Sequence, residues 1–252
     1  MVVTMNIIEI KNLSYSYKNK KIFDNLNLNI KKDSFTTIIG QNGSGKTTLA
    51  KLILKNNKNI KVHANNISLI TTNPNDHIIC NTVKEQLEFY LKEKQIKKNI
   101  IDEIIKKVVD RFNLDNILNQ DPYKLNSEQK QIIIILSNII SKPDLIILDD
   151  ALSFISSYYK EKILKYIKKQ KLSIINFTND TEESLYSNQI VIINKKVVLN
   201  SPLKKALSEE KEFLKNNLKL PFIAELSTKL CYYNLLDDII LKKEEMVDKL
   251  WN

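Results

Sequence analysis

The segment Gly40-Gln-Asn-Gly-Ser-Gly-Lys-Thr47 holds every glycine of the chain: Gly40, Gly43 and Gly45. Glycine serves where the backbone cannot carry a Cβ or must take positive φ. A chain that avoids it at every other turn needs it here. The spacing G-x-x-x-x-G-K-[ST] is that of a phosphate-binding loop. Successive N–H groups of such a loop cradle the phosphates of a nucleoside triphosphate. The helix that follows adds its positive N-terminal end. Lys46 is predicted to reach the phosphates and the Thr47 hydroxyl to bind Mg²⁺. A second signal is Asp149-Asp150, placed directly after the apolar run Leu145-Ile-Ile-Leu148. Asp149 is predicted to hold Mg²⁺ through water, and Asp150 sits where a base could orient an attacking water.

These residues need strands and helices to position them. Ser34 to Ile39 is a β-branched, apolar run that ends at Gly40, and Thr48 to Leu54 has helical spacing of apolar residues. Strand, loop and helix therefore follow in the order the motif requires. Upstream, Ile7 to Ile10, Leu13 to Tyr17 and Leu26 to Ile30 read as three short strands. Downstream, Ile67 to Ile70 is a strand broken by Asn73-Pro74-Asn75-Asp76. Val83 to Phe112 reads as an inserted helical region, and Glu128 to Ile140 as a buried helix. Tyr159 to Gln170 is an amphipathic helix and Leu172 to Phe177 a buried strand. Ile190 to Ile193 and Val197 to Asn200 form a hairpin across Asn194-Lys195. From Pro202 onward the pattern is helical.

Composition sets bounds. A length of 252 residues suits one sizeable domain with a small appendage. No apolar stretch is long enough to span a membrane, and no secretory signal is expected. Cys80 and Cys231 stand apart and suggest neither a disulfide framework nor a metal site. The net charge is +10, but Arg111 is the only arginine and the lysines are dispersed. Nucleic-acid surfaces cluster arginine with interleaved aromatics, so no nucleic-acid partner is expected. His63 and His77 form no ligand cluster. Tyr158-Tyr159 and Tyr232-Tyr233 read as packing or interface positions, and Trp251 as a pin for the C-terminus.

With these residues placed, the chain resembles the ATP-binding cassette (ABC) family along nearly its whole length. Gly40 to Thr47 matches the Walker A loop and Leu145 to Asp149 the Walker B strand. Leu125-Asn-Ser-Glu-Gln129 stands where the Leu-Ser-Gly-Gly-Gln signature belongs, and Thr178-Asn179-Asp180 where the Thr-His-Asp switch belongs. Within the family the likeness is to the ATPase subunits of energy-coupling factor transporters. It is carried by Asn73 to Asp76 with the following Thr82 to Phe89, and by Ser201-Pro202, Leu220-Pro221-Phe222 and Leu226 to Leu230.

The resemblance implies an α/β P-loop NTPase fold with an N-terminal antiparallel β-region. It implies an ABC nucleotide-binding domain over residues 5–203, a helical insertion at about 78–130, and a small C-terminal helical domain over 204–252. It implies ATP and Mg²⁺ as ligands. Tyr17 would stack on adenine, Gly40, Gln41, Asn42, Gly43, Ser44, Gly45, Lys46, Thr47 and Thr48 would hold ATP, and Thr47 with Asp149 would hold the metal. The implied partners are a second ABC ATPase subunit, a transmembrane scaffold and a substrate-binding membrane subunit, at the cytoplasmic face of the membrane. The implied cargo is a vitamin or a metal ion.

Several positions depart from the family pattern. Asp150 replaces the catalytic Glu, Asn179 the switch His, and Thr72 the loop Gln. Asn126, Ser127 and Glu128 replace Ser-Gly-Gly of the signature, and Ser156 replaces an acid. A carboxylate at 128 would oppose a facing phosphate. The expectation is binding with poor turnover, as the less active half of a heterodimer. A soluble ABC ATPase and a non-catalytic, ATP-sensing scaffold subunit are the alternatives.

Overall fold

The computed structural model describes residues 5–55 and 57–251, with Trp251 by its backbone alone. The Trp251 side chain, expected to pin the C-terminus, lies outside the described residues. The chain forms two compact units. One joins the residues up to His63 with those from Ser173 onward; the other is Ala64–Leu172.

The first unit begins with β1 (Asn6–Tyr17) and β2 (Lys20–Lys31), antiparallel to each other. β1 is one long strand where the sequence suggested two. Asn12 takes φ 52° and the register shifts beside it, so a bulge carries the strand past the polar residue. The β1–β2 turn is Lys18-Asn19, both with positive φ, the two-residue geometry that matches strand twist. β4 (Ile60–Val62) adds to β1 and completes a three-stranded antiparallel sheet in the order β2-β1-β4.

A second sheet in this unit runs β7-β3-β8-β9. β3 (Phe35–Ile39) is buried throughout, as is β7 (Ser173–Thr178), and both lie parallel to β8 (Gln189–Asn194). Runs buried on both faces are what a parallel sheet demands. β9 (Lys196–Pro202) returns antiparallel, turning at Lys195 with φ 59°. Ile39 pairs with Thr178 on one side and Ile192 on the other. Gly40 and Asn179 therefore follow the carboxyl ends of adjacent strands, where ligands bind in open α/β sheets.

Among the described residues four helices follow β9: α6 (Leu203–Leu207), α7 (Glu210–Lys215), α8 (Phe222–Tyr232) and α9 (Lys243–Trp251). Leu207, Phe213, Leu220 and Ala224 from this segment share a core with Ile39, Ile190 and Ile192. A smaller core gathers Leu236, Ile240 and Met246.

The second unit pairs β5 (Ile67–Ile70) in parallel with β6 (Leu145–Asp149). The expected helical region is two helices, α2 (Val83–Glu93) and α3 (Lys98–Phe112). Gln95 at φ 55° ends the first, and the Lys94 ammonium donates to Ser141 O at 2.6 Å and Lys142 O at 3.0 Å. α4 (Ser127–Ile140) is buried from Gln131 to its end, and α5 (Ser157–Lys168) is amphipathic. Among the described residues no helix is long and apolar enough to cross a membrane.

Candidate nucleotide site

The glycine loop connects β3 to α1 (Lys46–Leu54). Each glycine has its own reason. A Cβ at Gly40 would meet Ile193 O at 2.7 Å. Gly43 has φ 82° with open space around it. Gly45 has φ 102°, and a Cβ there would meet the Phe23 ring at 2.7 Å. The fully buried Phe23 of β2 thus packs directly under the loop. Between the glycines, the Ser44 N–H donates to Gln41 O at 3.0 Å.

α1 starts at Gly45 with no side-chain cap and no acid in its first turn. The positive end of its dipole favours an anion there. Lys46 is only 5% exposed; its ammonium donates to Gly40 O at 2.7 Å and to Gln41 O at 3.3 Å. Ser44 Oγ is buried with no hydrogen-bond partner. An orphaned hydroxyl in a loop that has no room for a Cβ at Gly40 or Gly45 fits a polar ligand against it. Thr47 is exposed and Thr48 half-buried.

Asn179, directly after β7, donates from Nδ2 to Asn42 Oδ1 at 3.4 Å. Gln41, Asn42 and Asn179 line a cleft of about 400 Å³ together with Asn217 and Leu218. Tyr17 stands at the hairpin end of β1, 59% exposed, with the Lys18 ammonium 5.8 Å from its ring centre. No hydrogen bond ties Tyr17 to the loop among the described residues.

In the second unit, Thr72, Asp149 and Asp150 come together at the carboxyl ends of β5 and β6. The Thr72 hydroxyl donates to Asp149 O at 3.3 Å. Asp149 is buried, and Asp150 takes φ 50°. That left-handed conformation is tolerated better by Asp than by longer side chains. The Asp150 carbonyl accepts from Ser153 N at 3.2 Å and Ser153 Oγ at 2.8 Å, closing a tight turn. Among the described residues no three His, Cys, Asp or Glu side chains gather to hold a metal. Mg²⁺ at such a site would rest on few carboxylates, completed by phosphate oxygens and water.

Two features lay outside the sequence reading. The first is a buried polar hub. Gln131 of α4 donates from Nε2 to Thr71 O at 3.0 Å, and Thr71 N–H donates to His77 Nε2 at 3.1 Å. Gln86 of α2 donates from Nε2 to His77 O at 3.4 Å and accepts from Ile79 N at 3.0 Å. The residue next to Thr72 is thereby tied to two helices. The only available signal was polar residues on otherwise apolar helix faces. The second is at α4, where Asn126 caps the helix with a reciprocal Gln129 contact, and Glu128 Oε1 accepts from Ser156 N at 2.8 Å. The Glu128 carboxylate, expected to oppose a phosphate, is engaged by its own chain.

Residues 23–153 match the ABC transporter family. The chain belongs to the ATP-binding cassette transporter family. It is similar to the energy-coupling factor transporter ATP-binding protein EcfA of Pediococcus pentosaceus, with 30% identity over 95% of this chain and 94% of the relative. EcfA1 of Mycoplasmoides gallisepticum is 29% identical over 97% of this chain and 95% of its own length. EcfA1 of Bacillus subtilis is 27% identical over 97% and 96%. Among solved structures, cbiO1 from Clostridium perfringens, described as part of the ABC transporter complex cbiONQ, superposes with a TM-score of 0.69. It is 21% identical and covers 88% of this chain and 98% of that chain. The ABC nucleotide-binding fold is shared with it. Within the family, the relatives just named are ATP-binding proteins of energy-coupling factor transporters.

Proposed function

We propose that this chain is the ATP-binding subunit of an energy-coupling-factor-type importer for vitamins or metal ions, and the less active half of a pair of ATPase subunits. The reading is carried by one contrast. The phosphate loop keeps its glycines, its lysine and an uncapped helix N-terminus, while the positions that would drive turnover are Asp150, Asn179 and Thr72.

Gly40 to Thr48 bind the triphosphate, and Tyr17 stacks on the base. Thr47 and Asp149 hold Mg²⁺, which when bound offsets phosphate charge. Asp150 orients water with a carboxylate one methylene shorter than Glu. Asn179 hydrogen-bonds without titrating near neutral pH, and Thr72 offers a hydroxyl where an amide would reach further. Residues 5–203 serve as the nucleotide-binding domain, with the helical insertion at about 78–130, and residues 204–252 serve in dimer contact. The partners are a second ABC ATPase, a transmembrane scaffold and a substrate-binding membrane subunit, and the chain works at the cytoplasmic face of the membrane.

A tagged copy recovered from detergent-solubilised native membranes tests this. The reading expects a second single-cassette ATPase and a polytopic membrane protein to come with it. Recovery in the soluble fraction alone, with ribosomal or assembly proteins, overturns it in favour of a soluble ABC ATPase.

A further inference from the structure

We infer that Glu128 is a positioning residue: from the first turn of α4 it sets the loop that runs from Asp150 to Ser156, acting as a hydrogen-bond acceptor and not as a charge aimed at phosphate. The inference deepens the function proposed above and rests on it only for what the loop then does.

The turn that carries Glu128 is held firmly. Asn126 Oδ1 accepts from Gln129 N at 2.8 Å, and Gln129 Oε1 accepts from Asn126 N at 3.2 Å. A carboxylate in a first helical turn is favoured by the helix dipole. From this base Glu128 Oε1 accepts from Ser156 N at 2.8 Å. Ser156 is itself the residue before α5, with its carbonyl taken by Lys160 N at 2.8 Å. The other end of the loop is closed on Asp150 O by Ser153. A short loop is thus tied at both ends, and one end is the candidate water-orienting residue, in left-handed backbone. Glu128 holds the opposite end.

The residue type at 156 fits this role. A carboxylate there would stand beside Glu128, and two like charges in contact repel. Serine leaves the N–H donor and removes the second charge. The two departures from the family pattern, at 128 and 156, are therefore physically linked: each suits the other. A loop tied at both ends in this way has less freedom to lose on pairing.

The test compares Glu128→Gln, which keeps an acceptor without charge, with Glu128→Ala, which removes both. Amide hydrogen exchange over residues 152–157 of the full chain is read first, with thermal unfolding confirming that each variant folds. Loss of a charge-assisted hydrogen bond is expected to speed exchange at the Ser156 amide roughly tenfold in Glu128→Ala. Glu128→Gln is expected to keep most of the protection. ATP turnover of the complex recovered from membranes is read second, and is expected to be several-fold higher with Gln at 128 than with Ala. Exchange unaffected by Glu128→Ala, or Gln and Ala behaving alike in both readouts, overturns the inference. If the complex itself turns over no ATP, the proposed function falls, and the exchange result decides the positioning role alone.

Discussion

The Lys46 ammonium donates to the carbonyl of Gly40, six residues back, at 2.7 Å. The side chain is folded over its own loop and almost wholly buried. A phosphate in the loop competes with these carbonyl oxygens for the ammonium. The exchange is favourable because a phosphate oxygen is a charged acceptor and a carbonyl is neutral. Lys46→Ala is expected to weaken Mg-ATP binding by about tenfold to a hundredfold, the scale of one or two charge-assisted hydrogen bonds. Titration calorimetry of the purified chain measures this.

The three glycines are not equivalent. Gly43 has positive φ but empty surroundings, whereas Gly45 has positive φ and the Phe23 ring against its missing Cβ. Gly43→Ala is expected to cost about 1–2 kcal/mol from the left-handed backbone. Gly45→Ala adds a clash with a fully buried ring to a similar backbone cost, and is expected to exceed it by a further 1–3 kcal/mol or so. Thermal unfolding of the two variants side by side checks the order.

Asp150 combines a short carboxylate with left-handed backbone. Asp150→Glu lengthens the arm but places a longer side chain at φ 50°, where it is expected to lower stability by about 1 kcal/mol. Asn179 and Thr72 are unchanged in that variant, so turnover is not expected to reach an ordinary enzyme rate. Phosphate-release kinetics of the variant would reveal a full recovery if the missing methylene were the whole defect.

His77 gives the fold a pH dependence. Its Nε2 accepts the Thr71 N–H, which requires a neutral ring. Burial lowers its pKa from the ordinary histidine value, with the adjacent Asp76 opposing. Below about pH 6.5 the unfolded chain binds the proton more readily than the folded one. This contribution to stability is present above that pH and is lost as pH falls through the lowered folded value. The unfolding midpoint is expected to drop between pH 7 and 5, less steeply in His77→Gln. Equal slopes in the two proteins would remove His77 from the account.

The parts of the molecule readable in advance were those where one residue type admits one explanation. Three clustered glycines marked the loop, uniform β-branched runs marked β3 and β6, and the long apolar stretch marked α4. Turns were harder. Among the described residues thirteen non-glycine residues have positive φ, and eight of them are Asn or Asp. A chain nearly free of glycine builds its left-handed turns from other residues, so the usual punctuation is missing. That is why β1 read as two strands across Asn12, and why α2 and α3 read as one region across Gln95. The polar hub at Thr71 was illegible for another reason. Gln86 and Gln131 lie on helices, where a polar residue reads as solvent-facing until a distant acceptor is known. Glu128 and Ser156 are 28 residues apart, and only the fold joins them.

The central claim is that the chain binds Mg-ATP through an intact loop yet is poorly equipped to hydrolyse it. The most direct measurement is ATP turnover by the purified chain alone, set beside its Mg-ATP affinity and beside turnover by the complex recovered from membranes. The account predicts binding with turnover well below about one per second for the chain alone, and substantially faster turnover in the complex. Turnover by the isolated chain on the order of 1–100 per second would contradict it.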